Sequence, residues 1–182
     1  MDAGERAFLS KGVSATTIEE ITGGAGTAKG TFYLYFTSKD DLLAALRERF
    51  VAQCRERIEA MESRCPPGEW AQRLDACVEG GVRVYLENVP LHDILFHCGE
   101  RPPEPVEQGK LLKWMAELIR QGSDAQAWKA VDPEIAAVFL FQAIHGVIDY
   151  ALAGGPIDEE ELLRSIQSLA RNAVGCRESV AG

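Results

Sequence analysis

The sequence predicts an all-helical protein, and three observations support this. Apolar residues recur at spacings of three and four along most of the chain, the period of a helix with one buried face. Alternating apolar and polar runs, which are typical of half-buried strands, are nearly absent. Proline and glycine cluster at residues 65–68, 99–105 and 154–156, where they favour breaks between helices. We therefore expect about nine helices, with residues 1–46 as one domain and residues 47–182 as a second.

The first three helices are expected to be short. The first covers residues 2–11 and stops at the glycine that follows. Thr16 and Glu19 have the spacing of a capping box, which predicts a second helix over residues 17–22 that ends at a pair of glycines. A third short helix is expected over residues 27–33.

The remaining helices are predicted to be longer. Ser38 caps the next one, and Asp40 and Asp41 lie in its first turn, where the helix dipole favours negative charge. Pro133 suits the first turn of a later helix, and Asp158 is expected to cap the last. The predicted ranges are residues 39–61, 69–88, 91–97, 105–122, 133–153 and 158–174.

The second and third short helices have the arrangement of a helix-turn-helix. Gly26 lies in the turn between them, where a left-handed residue is usually needed. Phe32 and Phe36 are expected to anchor the third helix from beneath. In this motif the second of the two helices lies in the major groove of DNA, and hydroxyl and amino groups contact phosphates and base edges. The side chains expected to face outward are Thr27, Ala28, Lys29, Thr31, Tyr33 and Tyr35.

Several motifs within residues 12–43 hold together in order and spacing. They are Thr16-Thr17, Ile18, Ile21, Ala25-Gly26, Gly30-Thr31-Phe32-Tyr33, Tyr35-Phe36, Ser38-Lys39 and Leu42-Leu43. This stretch resembles the tetracycline-repressor (TetR) family of bacterial regulators. The sequence departs from the family pattern at Thr22, where alanine is usual, and at Thr27, where valine is common. Family members usually carry further residues, basic ones among them, before the position of Asp2, so we expect this chain to start late.

The resemblance implies a homodimer that binds double-stranded operator DNA through its first helices and a small-molecule effector through its larger helical body. It implies a repressor that the effector releases from DNA. Carried over residue by residue, it adds Thr16 and Lys39 to the outward-facing residues as side chains that face the DNA, with Lys39 on a phosphate.

The charge distribution is compatible with DNA binding. The net charge of −9 argues against nucleic acid at first sight, but residues 1–50 carry a balance of −1 and the rest of the chain carries −8. Residues 27–39 contain two lysines and no acidic residue. The predicted reading segment is therefore locally positive.

The helix predicted over residues 133–153 is apolar on almost all sides, so both of its faces must be covered. We expect two helices of each subunit, this one and the last, to form a four-helix dimer interface. Its residues are expected to be Leu140, Ile144, Val147, Ile148, Leu162, Leu163, Ile166, Leu169 and Ala170.

Aromatic and polarisable residues in the middle of the chain suggest a pocket for a small hydrophobic or aromatic effector. The candidate lining residues are Trp70, Tyr85, Phe96, His97, Trp114, Met115, Phe139 and His145. His145 and Asp149 lie one helical turn apart and could orient a polar group. A plain hydrophobic core is the alternative for each of these residues.

Other functions have weaker support. His92, His97 and Cys98 are candidate ligands of a metal ion, and Cys98 or Cys77 is a candidate thiol sensor. The alternative function is therefore a helical small-molecule, metal or thiol sensor without effective DNA binding. No cofactor or metal is expected. The sequence holds no motif of an enzyme, although Cys98 beside His97 or His92 leaves a thiol enzyme formally open.

The chain is expected to work in the cytoplasm, because no secretory signal is evident. The longest apolar stretch, residues 136–152, is interrupted by Gln142, His145 and Asp149, so no membrane span is expected. The five cysteines are scattered and form no CxxC pair, and we expect reduced, mostly buried thiols.

Overall fold

The computed structural model describes residues 1–97, 105–129 and 132–176. Within these residues the protein is built from nine helices, and the only paired extended backbone is an isolated bridge between Trp128 and Cys176. The helices are α1 (Asp2–Ala15), α2 (Ile18–Gly24), α3 (Lys29–Phe32), α4 (Lys39–Glu62), α5 (Trp70–Glu87), α6 (Val89–Phe96), α7 (Pro105–Asp124), α8 (Pro133–Ala153) and α9 (Glu159–Val174). The all-helical prediction is confirmed.

The N-terminal helices differ from their predicted bounds. Helix α1 runs through Gly12 to Ala15, and a φ of 81° at Gly12 kinks it without ending it. The capping box belongs to Thr17 and Glu20, one residue later than predicted, because the Thr17 hydroxyl accepts from the backbone N–H of Glu20 and the Glu20 carboxylate accepts from that of Thr17. The two glycines at residues 23 and 24 stay inside α2.

The caps of the later helices follow the sequence more closely. The Ser38 hydroxyl accepts from the backbone N–H of Asp41 at the start of α4. Asp132 caps α8, which has Pro133 in its first turn, and the Asp158 carboxylate accepts from the N–H of Glu161 at the start of α9.

The chain divides into two compact units. The first contains Met1–Gln53 and Tyr85–Gln108. Its core includes Phe8, Leu42 and Leu46, which are almost fully buried. Helix α6 packs against α1 in this unit, and the buried Arg47 of α4 donates from Nε to the carbonyl oxygen of Leu95 over 2.5 Å.

The second unit contains Cys54–Val84 and Gly109–Gly182. Trp128 is a buried anchor of this unit, because its indole N–H donates to the carbonyl of Ile119 over 2.9 Å and its ring covers Gly122 of α7. A Cβ at Gly122 would lie 1.9 Å from the Trp128 ring, so only glycine fits there. Helix α9 is fixed by Arg171, whose guanidinium binds both carboxylate oxygens of Asp75 at 2.6 Å.

Candidate nucleic-acid interface

Helices α2 and α3 are joined by a tight turn that is held by backbone hydrogen bonds. The N–H of Thr27 donates to the carbonyl of Thr22 over 2.9 Å, which closes the turn onto the end of α2. Gly26 adopts a φ of 66°, as the sequence predicts for this position. The buried Phe32 anchors α3 and packs against Phe36 with ring centroids 5.4 Å apart. The helix-turn-helix is therefore assembled as expected.

The outer side of α3 and of the turn after it is exposed. Tyr33 and Tyr35 are 51% and 75% exposed, Thr31 is half-buried, and Thr27 to Lys29 are exposed. Leu34, which is not among the residues predicted to face outward, is 79% exposed. The sequence predicted a helix over residues 27–33, whereas α3 ends at Phe32, so residues 33–35 lie in a turn and all three are exposed.

Lys29 forms an ion pair with Glu19 of α2. This contact raises the pKa of Lys29 and lowers that of Glu19, in each case mainly through the side-chain hydrogen bond between them. Both side chains are more than half exposed. The positive charge that the sequence places on the reading segment is therefore partly compensated by a neighbouring carboxylate.

Thr16 and Lys39 do not face outward as predicted. Thr16 is 1% exposed, and its hydroxyl donates to the carbonyls of Ala7 and Gly12. The Lys39 ammonium donates to three carbonyl oxygens, those of Val13 at 2.8 Å, Ser14 at 3.2 Å and Thr16 at 2.7 Å. These carbonyls lie at the C-terminal end of α1, where the helix leaves acceptors unpaired and its dipole favours a cation. Both side chains therefore brace α1.

A second ion pair holds the start of α2. Glu20 completes the capping box and also contacts the ammonium of Lys11 on α1. The side-chain hydrogen bond from Lys11, followed by the bonds from Thr17, lowers the pKa of Glu20 to about 2. The position of α2 thus depends on an ionised carboxylate.

Residues 1–46, which contain this motif, match the family described as "Bacterial regulatory proteins, tetR family". The match covers the N-terminal quarter of the chain and identifies this part as similar to the DNA-binding region of the family. Together with the relatives that follow, the match supports a DNA-binding transcriptional regulator with a helix-turn-helix of the TetR type. The family resemblance that the sequence showed is confirmed.

Two relatives in Bacillus subtilis (strain 168) are described as helix-turn-helix (HTH) transcriptional regulators. The HTH-type transcriptional regulator YerO is 40% identical over 57 residues, which are 31% of this chain and 20% of YerO, so the match spans a fifth of that relative. The HTH-type transcriptional regulator YhgD is 25% identical over 171 residues, which are 89% of this chain and 87% of YhgD.

The fold of most of the chain is similar to that of a solved transcriptional regulator. The crystal structure of the transcriptional regulator FadR from Bacillus subtilis, in complex with stearoyl-CoA, superposes with a TM-score of 0.77. The sequence identity is 19%, and the superposition covers 95% of this chain and 96% of FadR. This likeness shows the fold of the chain.

Helix α8 presents an apolar face to solvent. Ile135, Val138, Phe139 and Tyr150 are between 45% and 84% exposed. The helix is long and apolar enough to span a membrane by length and composition alone, and 22% of its apolar window is buried within the chain. Polar residues such as Gln142 lie along it. On α9, Leu169 is 60% exposed and its neighbours on that face are small or polar.

The residues predicted for the dimer interface divide into two groups in the structure. Those buried inside the subunit are Leu140, Ile148, Leu163, Ile166 and Ala170. Ile144, Val147 and Leu162 are half-buried, and Leu169 is exposed. Helical periodicity identified the apolar stripe of α9, but it could not tell which side of an all-apolar helix packs inward.

The predicted effector-binding residues fall in both compact units. In the first unit, Tyr85 is buried, Phe96 is half-buried and His97 is exposed at the end of α6. The remaining five belong to the second unit. Trp70 packs against Trp128, and on α7 Trp114 is half-buried and Met115 is buried. Phe139 lies on the exposed face of α8, and His145 places Nδ1 2.8 Å from the carbonyl oxygen of Phe141. Their role in ligand binding stays a prediction.

The cysteines of the described residues are free thiols. Burial raises the pKa of Cys54 and of Cys77 to about 12, so neither is a reactive thiolate at neutral pH. This argues against Cys77 as a thiol sensor. Cys98, the other candidate for a thiol or metal role, lies outside the described residues.

Proposed function

We propose that the chain is a homodimeric repressor that binds operator DNA with α3 and the turn after it, and that a small hydrophobic or aromatic effector releases it from DNA. The observation that carries the DNA contact is the exposed row of side chains on this segment. Hydroxyl groups of Thr27, Tyr33 and Tyr35 suit phosphates, and the ammonium of Lys29 suits a phosphate or a guanine edge.

The proposed contact set is narrower than the sequence alone suggested. Thr27, Ala28, Lys29, Thr31, Tyr33 and Tyr35 remain in it, whereas Thr16 and Lys39 position α1 beneath them. Leu34 joins the set, because it lies exposed between two tyrosines. An apolar side chain at a DNA surface can pack on a thymine methyl group or on the sugar.

A gel-shift titration on the DNA upstream of the protein's own gene tests DNA binding. We expect a specific shift that weakens as the salt concentration rises, because phosphate contacts release counterions. The Lys29→Met variant should lower the salt slope by about one per subunit. The matched control is Lys113→Met, an exposed lysine on α7, which should leave the slope unchanged. No shift, or a shift without salt dependence, contradicts the proposal.

The proposed dimer interface is the exposed side of α8 with the adjoining side of α9. Large exposed apolar patches mark contact surfaces, and a helix apolar all round needs a second cover. The exposed positions on α8 repeat with helical spacing at Ile135, Val138, Phe139, Gln142, Ala143, Gly146 and Tyr150. On α9 the proposed interface uses the exposed residues Ser165, Ser168, Leu169 and Ala173, and three of these four side chains are small enough for a second helix to approach closely. A two-fold dimer uses the same surface of both copies.

The proposed effector is apolar or aromatic because aromatic side chains and Met115 are concentrated in the predicted lining set. FadR, which shares the fold, binds stearoyl-CoA in its crystal structure. Stearoyl-CoA and a neutral aromatic dye are therefore the first probes to add to the protein–DNA complex. Release of the DNA by either probe supports an apolar effector, and the absence of release by both counts against it.

A regulator fits the described residues better than an enzyme or a stand-alone sensor. The two most buried thiols have pKa values raised to about 12, which makes them poor nucleophiles. The proposed partners are DNA, a second copy of the chain and an effector, and the proposed location is the cytoplasm, where the operator lies.

A further inference from the structure

Three side chains that commonly bind metals meet at the C-terminal end of α6. One ligand atom from each of His92, Asp93 and His97 lies within 4.8 Å of the other two. Ligands of one tetrahedral or octahedral ion lie roughly 3 to 4 Å apart at the bond lengths of zinc, so small rotations of the two half-exposed side chains would close the set.

The surroundings of His92 differ from those of a surface histidine. Its ring is buried, 3.8 Å from the Tyr85 ring centroid, 4.8 Å from that of Phe96 and 6.0 Å from that of Phe50. These rings hold the imidazole in place on one side. A hydrophobic wall around a metal site limits water access and fixes the ligand, which favours binding.

The other two side chains give an ion access from solvent. Asp93 and His97 are each 51% exposed, and the Asp93 Oδ1 lies 3.3 Å from Nδ1 of His97. A pair of this kind, four residues apart, is common on helices without any ion. The buried third ligand, His92, is what distinguishes this cluster from an ordinary surface pair.

The chemistry of the set selects the class of ion. Two imidazoles and one carboxylate suit Zn²⁺ and neighbouring first-row divalent ions, whereas Mg²⁺ and Ca²⁺ prefer oxygen ligands alone. We propose that His92, Asp93 and His97 form a site for one zinc-class divalent ion at the end of α6, with solvent completing the coordination.

The position of α6 gives such an ion a route to the DNA-binding helices. Helix α6 packs against α1, and Arg47 of α4 donates to the carbonyl of Leu95, which lies between two of the ligands in the chain. An ion that draws Asp93 and His97 toward His92 tightens the last turn of α6, and this turn carries the Arg47 contact. The ion therefore changes the affinity for DNA. This effect on DNA binding rests on the proposed function, whereas the metal site itself does not.

Metal binding is tested on the full chain, with any purification tag removed and the protein treated with EDTA. Titration with Co²⁺ should give visible absorption from one bound ion per chain, and Zn²⁺ should displace it. His97→Ala and Asp93→Asn should each weaken Co²⁺ binding by roughly tenfold or more. The matched control is His145→Ala, the third histidine of the chain, which should bind as the wild type does.

Either of two results overturns the site. One is the absence of Co²⁺ absorption at a saturating concentration of the ion. The other is equal Co²⁺ affinity in the wild type and in His97→Ala, with both proteins folded as judged by circular dichroism. A gel shift that Zn²⁺ alters in the wild type but not in His97→Ala supports the link to DNA. Bound Co²⁺ with unchanged DNA affinity overturns that link. An absent shift in the metal-free protein overturns the proposed function and leaves the metal site standing, because the Co²⁺ titration measures it separately.

Discussion

Two regions of the protein expose large apolar side chains to solvent, and they do so in different ways. At the helix-turn-helix, Tyr33, Leu34 and Tyr35 lie in one turn after a four-residue helix. Along α8, the exposed apolar residues run from Ile135 to Tyr150 with helical spacing. The first group is compact and carries hydroxyl groups, whereas the second is a long stripe with few polar atoms.

The supports of the two regions differ as well. The helix-turn-helix is held by polar contacts: Lys39 on the end of α1, Thr17 with Glu20 on the start of α2, and Glu20 with Lys11. Helix α8 is held within its subunit by apolar packing of side chains such as Leu140 and Ile148, which are buried. Exposure alone does not identify a partner. The shape of each patch and the polarity of its neighbours underlie the two proposed partners, which are DNA for the first region and a second helix pair for the other.

The largest effect is expected from Phe139→Glu, which places a charge in the proposed helix–helix interface. Loss of an aromatic side chain that the proposed dimer buries, together with desolvation of the new carboxylate, should weaken the dimer by roughly a hundredfold or more. DNA affinity should fall with it, because a monomer engages one half-site. Light scattering after size-exclusion chromatography measures the dimer. The matched control is Gln72→Glu on the exposed surface of α5, which should stay dimeric; a dimeric Phe139→Glu protein would contradict the interface.

The next effect concerns the support beneath the reading helix. Lys39→Met removes three hydrogen bonds from a charged donor to the end of α1. We expect the free energy of unfolding to fall by about 2 kcal/mol, because bonds to charged groups contribute more than neutral ones. Urea unfolding without DNA measures this. Lys29→Met, an exposed lysine of the same motif, should change stability far less and should instead weaken DNA binding. Equal stability of Lys39→Met and the wild type would contradict the supporting role of Lys39 and would favour the predicted role as a DNA contact.

A smaller effect is expected from Tyr35→Ala at the reading surface. Loss of one hydroxyl contact to DNA and of the ring should weaken operator binding by roughly tenfold. Stability and the dimer should not change, because Tyr35 is 75% exposed and its ring lies tilted to that of Phe36 with the centroids 6.5 Å apart. Tyr35→Phe separates the hydroxyl from the ring. Unaltered DNA affinity in Tyr35→Ala would remove this residue from the contact set.

The smallest effect depends on pH. The folded pKa of Glu20, about 2, lies below its ordinary value of 4.5, so ionised Glu20 stabilises the folded state. This contribution is complete above pH 4.5 and is lost as the pH falls toward 2. The difference in unfolding free energy between the wild type and Glu20→Ala should therefore shrink across that interval. A difference that stays constant from pH 6 to about pH 2 would show that the carboxylate charge plays no part.

Much of the fold was readable from the sequence because helical periodicity and end signals are local. The prediction for α8 matches the observed bounds, since Asp132 and Pro133 mark its start and a glycine follows its end. The capping box was placed one residue early because two adjacent threonines each have a glutamate three residues later. Only the packing of the Thr16 hydroxyl against α1 decides between them.

The sequence by itself determined the helical class, the helix-turn-helix and most of the exposed residues from Thr27 to Tyr35, because these follow from nearest-neighbour spacing and turn chemistry. The tertiary structure decided the roles of Thr16 and Lys39, the inward side of α8 and the meeting of His92, Asp93 and His97. These depend on which groups of distant or adjacent turns come within hydrogen-bond or ligand distance. A side chain that can donate to a phosphate can equally donate to a carbonyl, and in the folded chain the donors of Thr16 and Lys39 lie within hydrogen-bond distance of backbone carbonyls.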